Sequence, residues 1–91
     1  MSLDEALDIA EKVFEILAMP TYDAFQKAEA CLAFLQYAPP DVFADCPREC
    51  KAIVAGAFEY GASWKQVAEA AGIGLAEARR RWADVATPST R

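Results

Sequence analysis

Histidine and asparagine are both missing from this 91-residue chain. Without histidine, no imidazole can act as a general acid or base, ligate a metal, or activate a serine or cysteine nucleophile. No carboxylate pair or phosphate-binding loop stands out either, because Gly72-Ile73-Gly74 lacks the remaining elements of a dinucleotide-binding motif. We therefore predict a binding protein rather than an enzyme, with no metal and no cofactor.

Cysteine is scarce, and its three positions do not form a recognisable framework. Cys31, Cys46 and Cys50 are odd in number, which fits poorly with a set of paired disulfides. The segment CPREC spaces two of them more widely than the Cys-x-x-Cys of zinc sites, and no histidine can supply a fourth ligand. We expect buried structural thiols, with a metal or redox role as the alternative.

Long apolar runs are also absent, because charged residues interrupt every hydrophobic stretch. The first residues, MSLDEALDIAEKVFEIL, are acidic and lack the basic start and continuous apolar run of a signal peptide. No stretch approaches the roughly 18 apolar residues of a membrane span. These patterns predict a cytoplasmic protein without membrane contact.

The length predicts a single domain over residues 1–91, since two domains need about twice as many residues. Hydrophobic residues make up 55% of the chain, but 20 of them are alanine. The percentage therefore overstates the size of the core.

The charge is acidic overall and unevenly distributed. A net charge of −5 argues against a protein that coats nucleic acid or anionic membranes by bulk attraction. Residues 61–91 hold five basic and three acidic residues, a net charge of +2, whereas residues 1–60 have a net charge of −7. A local positive surface can act at short range, because salt screens electric fields beyond roughly 8–10 Å.

The first 38 residues have the pattern of an acidic helical hairpin. Ser2 and Glu5 form a capping box before a first helix that ends at Met19-Pro20, and Thr21 is expected to cap a second helix that ends near Ala38. The apolar positions at helical spacing are Leu3, Ala6, Leu7, Ala10, Val13, Phe14 and Leu17, with Ile9 and Ile16 widening the stripe, then Phe25, Ala28, Cys31, Leu32 and Leu35.

Three more helices are predicted in residues 47–86. Asp45 is expected to cap the third, which ends at Tyr60-Gly61, with Val42 and Phe43 of the preceding loop tucked under the domain. Ser63 caps the fourth, from Trp64 to Ala71, and the fifth covers residues 75–85, before a flexible tail at 87–91. No strand pattern occurs, so we expect an all-α fold of about five helices. In it the hairpin packs on a three-helix unit whose first helix supports the other two.

The segment after Gly61 has the requirements of a helix-turn-helix unit: a small residue at the helix crossing, a glycine in the turn and an apolar residue after it. Ala68, Gly72 and Ile73 occupy these places. The run GASWKQVAEAAGIGLAEARRRW resembles small helix-turn-helix DNA-binding proteins of high-GC bacteria and their phages, over about residues 50–82. The matching residues are Gly61, Ser63, Trp64, Val67, Ala68, Ala71, Gly72, Ile73, Ala78, Arg79, Arg81 and Trp82.

This resemblance implies a regulatory protein that binds duplex DNA through helix 75–85. A helical wheel directs Leu75, Ala78, Trp82 and Val85 to the core. Arginine can read guanine and alanine can meet a thymine methyl, while residues at the start of the preceding helix can contact phosphates. The candidate DNA-binding residues are Lys65, Gln66, Ala76, Arg79, Arg80 and Ala83.

Two other interpretations remain open. The family usually begins this helix with Ser or Thr and then polar residues, whereas this chain has Gly74, Leu75 and Ala76, so the fold can instead serve a protein–protein adaptor, such as a phage factor that binds a host protein. The three arginines at residues 79–81 can also be a solvated helix end that favours the helix dipole.

The wide apolar arc of the first helix fits a homodimer through the N-terminal helices.

Overall fold

Five α-helices and no strand make up the part of the chain that the structure, a computed structural model, describes, namely residues 3–38 and 47–85. The helices are α1 (Leu3–Ala18), α2 (Ala24–Tyr37), α3 (Pro47–Glu59), α4 (Trp64–Ala71) and α5 (Leu75–Arg81). The predicted all-α class is confirmed. Of the predicted features, Ser2, Val42, Phe43, Asp45, Cys46 and the tail at 87–91 lie outside the described residues.

α1 and α2 lie against each other, with the first helix ending just before Met19-Pro20 as predicted. The predicted cap of α2 was wrong, because Asp23 rather than Thr21 holds this position. Its carboxylate accepts from the backbone N–H of Gln26 at 2.8 Å, and the Gln26 side chain accepts from the Asp23 N–H at 3.0 Å. This reciprocal pair satisfies two of the free amides at the helix start.

Small residues form the buried line of α1. Ala6, Ala10 and Val13 are buried, and the larger Leu7, Ile9, Phe14 and Leu17 are half-buried beside them. Leu3, predicted to share this stripe, is exposed. Because alanine has no side chain beyond Cβ, α1 can approach both α2 and α3 closely.

α2 is the central helix and contacts α1, α3 and α4. Its buried residues are Ala28, Cys31, Phe34 and Leu35. The expectation for Phe25 was wrong: its side chain is 69% exposed. Phe25 lies in the first turn of α2, at the edge of the buried stripe, where it borders a surface cleft beside Tyr60 and Gly61 instead of entering the core.

α3 packs closely on the hairpin. Proline is tolerated at its first position, Pro47, where no helical hydrogen bond needs the missing N–H. Gly56 lets the helix approach the hairpin, because a Cβ atom there would lie 3.0 Å from Leu17 Cδ1 and 3.3 Å from Cys31 Sγ. After the helix, Gly61 has the predicted positive φ, 107°.

α4 and α5 are joined by the three-residue turn Gly72-Ile73-Gly74. Ser63 caps α4 as predicted, and Gly72 ends it with φ 72° and ψ 28°. The helix expected over residues 75–85 is shorter, because α5 ends at Arg81 and the chain turns at residues 82–84. The expected support from α3 is also smaller than predicted, since α4 makes its larger contact with α2.

The same substitution, glycine to serine, should have opposite effects on stability at the two glycines of this turn. Gly72→Ser should cost about 1–2 kcal/mol, because a side chain is disfavoured in the left-handed region. Gly74→Ser should stabilise the protein by about 0.5–1 kcal/mol, because φ is −70°, the space is open and serine supplies the missing cap. Urea unfolding of both variants measures the difference. Equal effects would contradict the described backbone.

The thiols of Cys31 and Cys50 are buried, as predicted. Burial raises the pKa of Cys31 to about 12, so little reactive thiolate exists at pH 8. In a Cys46→Ser background, iodoacetamide should modify both thiols on the order of a hundredfold more slowly in the folded protein than in urea. Mass spectrometry of the two time courses measures this protection. Similar rates would show that these positions are open to solvent.

Candidate nucleic-acid interface

The inner face of α5 and the turn after it anchor the candidate interface. Ala78 is fully buried, and Trp82 and Val85 are buried in the turn that follows. The prediction for Leu75 was wrong, since it is 43% exposed. Leu75 lies in the first turn of α5, one helical turn before Ala78. The anchor is therefore the C-terminal half of α5 and residues 82–85.

The outer face of α5 carries two arginines that the sequence analysis predicts to contact DNA. Arg79 and Arg80 are both exposed. Within residues 3–38 and 47–85, no ion pair engages either guanidinium group. Arg81 differs, because its Nη2 lies 3.0 Å from Glu77 Oε2, one turn earlier on the same helix. Arg79 and Arg80 can therefore reach an anion without first breaking an ion pair of the described structure.

Lys65 and Gln66 lie in the first turn of α4 and are exposed. The positive end of the helix dipole strengthens the attraction of Lys65 for anions. The side-chain oxygen of Gln66 accepts from the Ser63 N–H at 2.9 Å, and its backbone N–H donates to Ser63 Oγ at 3.2 Å. Gln66 therefore serves mainly as part of the cap, with its side-chain NH₂ as the group that can donate to a phosphate.

The two candidate alanines lie in different environments. Ala76 is exposed in the first turn of α5 beside Leu75, where a small apolar group can meet a thymine methyl. Ala83 is exposed too, but it lies in the turn after α5 rather than on a continuing helix. The structure therefore gives a shorter helical surface than the sequence predicts.

An ion pair between Lys51 and Asp84 was not anticipated from the sequence. Lys51 Nζ lies 2.7 Å from Asp84 Oδ2 and joins α3 to the turn after α5. The hydrogen bond from Lys51 lowers the pKa of Asp84. Both side chains are substantially exposed, so salt screens the pair. Because the partners are 33 residues apart, no local sequence pattern could indicate this contact.

The two tryptophans serve mainly structural roles. Trp82 is 2% exposed and is the largest of the fully buried side chains. Trp64 is half-buried at the start of α4, and its ring centroid lies 4.8 Å from that of Phe58, at 60° between the planes. This tilted arrangement is favourable for aromatic pairs. The pair holds the start of α4 against the end of α3.

Residues 3–38 and 47–85 were also compared with the requirements of a metal site and of a membrane-spanning helix, and meet neither. Among residues 3–38 and 47–85, no group of three or more Cys, Asp and Glu side chains has the arrangement of a metal site. None of the described helices has both the length and the apolar character needed to cross a bilayer. No family model, curated protein or solved structure matches this chain.

Proposed function

We propose that the protein is a DNA-binding regulatory protein of the helix-turn-helix class. In this proposal it acts in the cytoplasm of a bacterium and is encoded either by the bacterium or by a phage. In this proposal α4 lies across the phosphate backbone and the outer face of α5 enters the major groove. Arg79 and Arg80 contact bases or phosphates, Lys65 contacts a phosphate, and Ala76 meets a base edge. Gln66 and Ala83 lie at the border of the contact.

One observation carries this proposal: Arg79 and Arg80 are exposed without an ion pair in the described part of the chain, although the chain as a whole is acidic. Had either arginine been paired with the acidic hairpin, its charge would have been neutralised. The separation of charge between residues 1–60 and 61–91 supports the same surface, because the excess of acidic residues belongs to the other part of the chain.

The proposed interface is small, which sets its expected affinity. Lys65, Arg79, Arg80 and Arg81 can contribute about four phosphate contacts from one copy, and Arg81 must share its charge with Glu77. Binding by one copy should therefore be weak at physiological salt. A homodimer would double the contacts and match two half-sites about one DNA turn apart.

A titration of labelled mixed-sequence duplex tests the proposal. We expect binding at about 50 mM salt that weakens on the order of a hundredfold by about 200 mM, as four released counterions require. Light-scattering mass on the same sample shows whether one or two copies bind. The absence of binding at low salt would overturn the proposal.

A protein–protein adaptor is the second candidate function. The exposed Leu75 and Ala76 favour it, because they present apolar groups where a DNA reader of this class usually presents polar ones. A pull-down from nuclease-treated lysate separates the two functions. A stoichiometric partner that competes with duplex for α5 would favour the adaptor, and an empty pull-down would remove it.

A further inference from the structure

A second surface, distinct from α5, lies between α1 and α2. It is an open groove of about 320 Å³. The described residues that line it are apolar or aromatic except for one lysine: Ile9, Lys12, Val13, Ile16, Ala30, Ala33, Phe34 and Tyr37. From Ile9 to Ile16 the groove follows α1 for about 10 Å, or two helical turns. It therefore offers an apolar surface to another molecule.

The two ends of this groove differ in the size of their side chains. Because only residues 19–23 join α1 to α2, the two helices run in opposite directions. Tyr37, near the end of α2, therefore lies toward Ile9, and Ala30 lies toward Ile16. Tyr37 is 62% exposed, so most of its side chain can contact another molecule, whereas alanine at the other end leaves a hollow. One surface thus carries both a protruding ring and a space for such a ring.

The groove is not lined by the acidic side chains of α1. Lys12 is the one charged residue among its described lining, and its ammonium group can stay in water while its aliphatic part covers apolar surface. Glu11 and Glu15 line a different pocket, with Phe14 and Ala18, on another side of α1. Two copies that meet groove to groove therefore do not bring these two carboxylates directly against each other.

We propose that a second copy of this chain occupies the groove in a symmetric dimer. A twofold axis that crosses α1 and α2 near the middle of the groove exchanges its two ends. Tyr37 of each protomer then enters the hollow of the other and packs against Ala30 and Ala33. The two contacts are identical, as a twofold interface requires. Tyrosine is enriched in the buried centres of such interfaces, where a few residues provide most of the affinity.

The size of this face sets the expected strength of the dimer. α1 has 16 residues, and two helices packed side by side form a face about 24 Å long and about 20 Å wide. Full contact of this face covers roughly 500 Å² on each protomer, so the total of about 1,000 Å² lies at the lower limit of specific interfaces. We therefore expect a weak dimer, with a Kd of about 10–100 µM.

Salt distinguishes this dimer from a complex with a basic partner. Each chain has a net charge of −5, so two copies repel each other at long range, and salt screens this repulsion. Raising NaCl from about 50 mM to about 500 mM should therefore strengthen self-association about threefold. The same change weakens the attraction of an acidic protein for a basic one.

Sedimentation equilibrium of the full chain, without DNA and with a reducing agent present, tests the proposal. Tyr37→Ser should weaken self-association about tenfold, whereas Phe25→Ser, which removes an exposed ring outside the groove, should change it less than about twofold. Ala33→Glu should also weaken it about tenfold, because a charge then fills the hollow. Ala52→Glu adds the same charge at an exposed position of α3 and should change it less than about twofold.

A mixture of two variants tests the reciprocal insertion. Tyr37→Ser and Ala33→Glu proteins together should associate more tightly than either alone, because Tyr37 of the second meets the unchanged hollow of the first. Four outcomes overturn the proposal: a monomer at about 500 µM protein, which leaves the groove to a different protein, equal effects of Tyr37→Ser and Phe25→Ser, a mixture no tighter than its components, or self-association that salt weakens.

The dimer and the DNA contact are tested independently. The four variants leave α4 and α5 unchanged, and the measurement contains no DNA. Self-association can therefore fail while DNA binding stands, or succeed without it.

Discussion

Replacing Arg79 and Arg80 together with alanine should reduce the affinity for duplex DNA at about 50 mM salt at least thirtyfold. Each arginine removes a charge-assisted contact, and two such contacts contribute about 2 kcal/mol or more. Because the pair also releases about two counterions on binding, the slope of log K against log salt should become smaller by about two. The fold should be unchanged, since both side chains are exposed and have no ion pair in the described structure.

The matched control is Lys12→Ala/Lys27→Ala, which removes the same charge from the hairpin. It should leave DNA binding within about twofold, apart from the small effect of a lower net charge. Lys27 lies 5.1 Å from the centre of the Tyr60 ring, so circular dichroism must show that this variant keeps its helices. If the two double variants lose equal affinity, binding depends on net charge and not on the surface of α5.

Trp82→Ala should have the largest effect on stability, about 3–5 kcal/mol. Trp82 is 2% exposed and lies at the end of α5, where its ring belongs to the same core cluster as Ala78 and Val85. Domains of this size are stable by only about 5–14 kcal/mol, so the loss should lower Tm by roughly 15–30 °C. DNA binding should be lost with it, because the position of α5 depends on this anchor.

Trp64→Ala provides the comparison for that experiment. Trp64 is half-buried and packs on Phe58, so we expect a smaller loss of about 1–2 kcal/mol. Thermal unfolding followed by circular dichroism measures both variants. A Trp82→Ala protein as stable as Trp64→Ala would show that the end of α5 is not anchored in the core.

Most helix boundaries could be predicted because they depend on local chemistry. Met19-Pro20 ends α1, Ser63 and Gly72 bound α4, and Gly61 takes a positive φ after α3. Thr21 failed as a cap because two candidates lie close together there, and the capping box with Gln26 favours Asp23. The position of the cap therefore depends on a reciprocal pair of hydrogen bonds and not on the type of a single residue.

Burial was harder to predict than helix position. Periodicity shows which residues share a face, but it does not show where the neighbouring helix ends. Phe25 and Leu75 both lie in the first turn of a helix and are exposed, although later residues of the same stripes, such as Cys31 and Trp82, are buried. The end of α5 was misplaced for a related reason, since Trp82 and Val85 stay buried whether the chain continues as a helix or turns.

The outer face of α5 could be predicted in part. The exposure of Arg79 and Arg80 follows from their places on the helical wheel. The pairing of Arg81 with Glu77 agrees with their four-residue spacing, but the link from Lys51 to Asp84 depends on tertiary packing. The exposure of the two arginines could therefore be predicted from local spacing, whereas the ion pair that joins the turn after α5 to α3 could not.

An NMR titration of the isotopically labelled protein with a short mixed-sequence duplex at low salt tests the central claim most directly. If the outer surface of α5 binds DNA, the largest changes in amide signals should occur at Lys65, Ala76, Arg79 and Arg80, while signals of α1 and the outer part of α2 remain in place. Unchanged spectra, or changes confined to α1 and α2, would contradict the proposed interface.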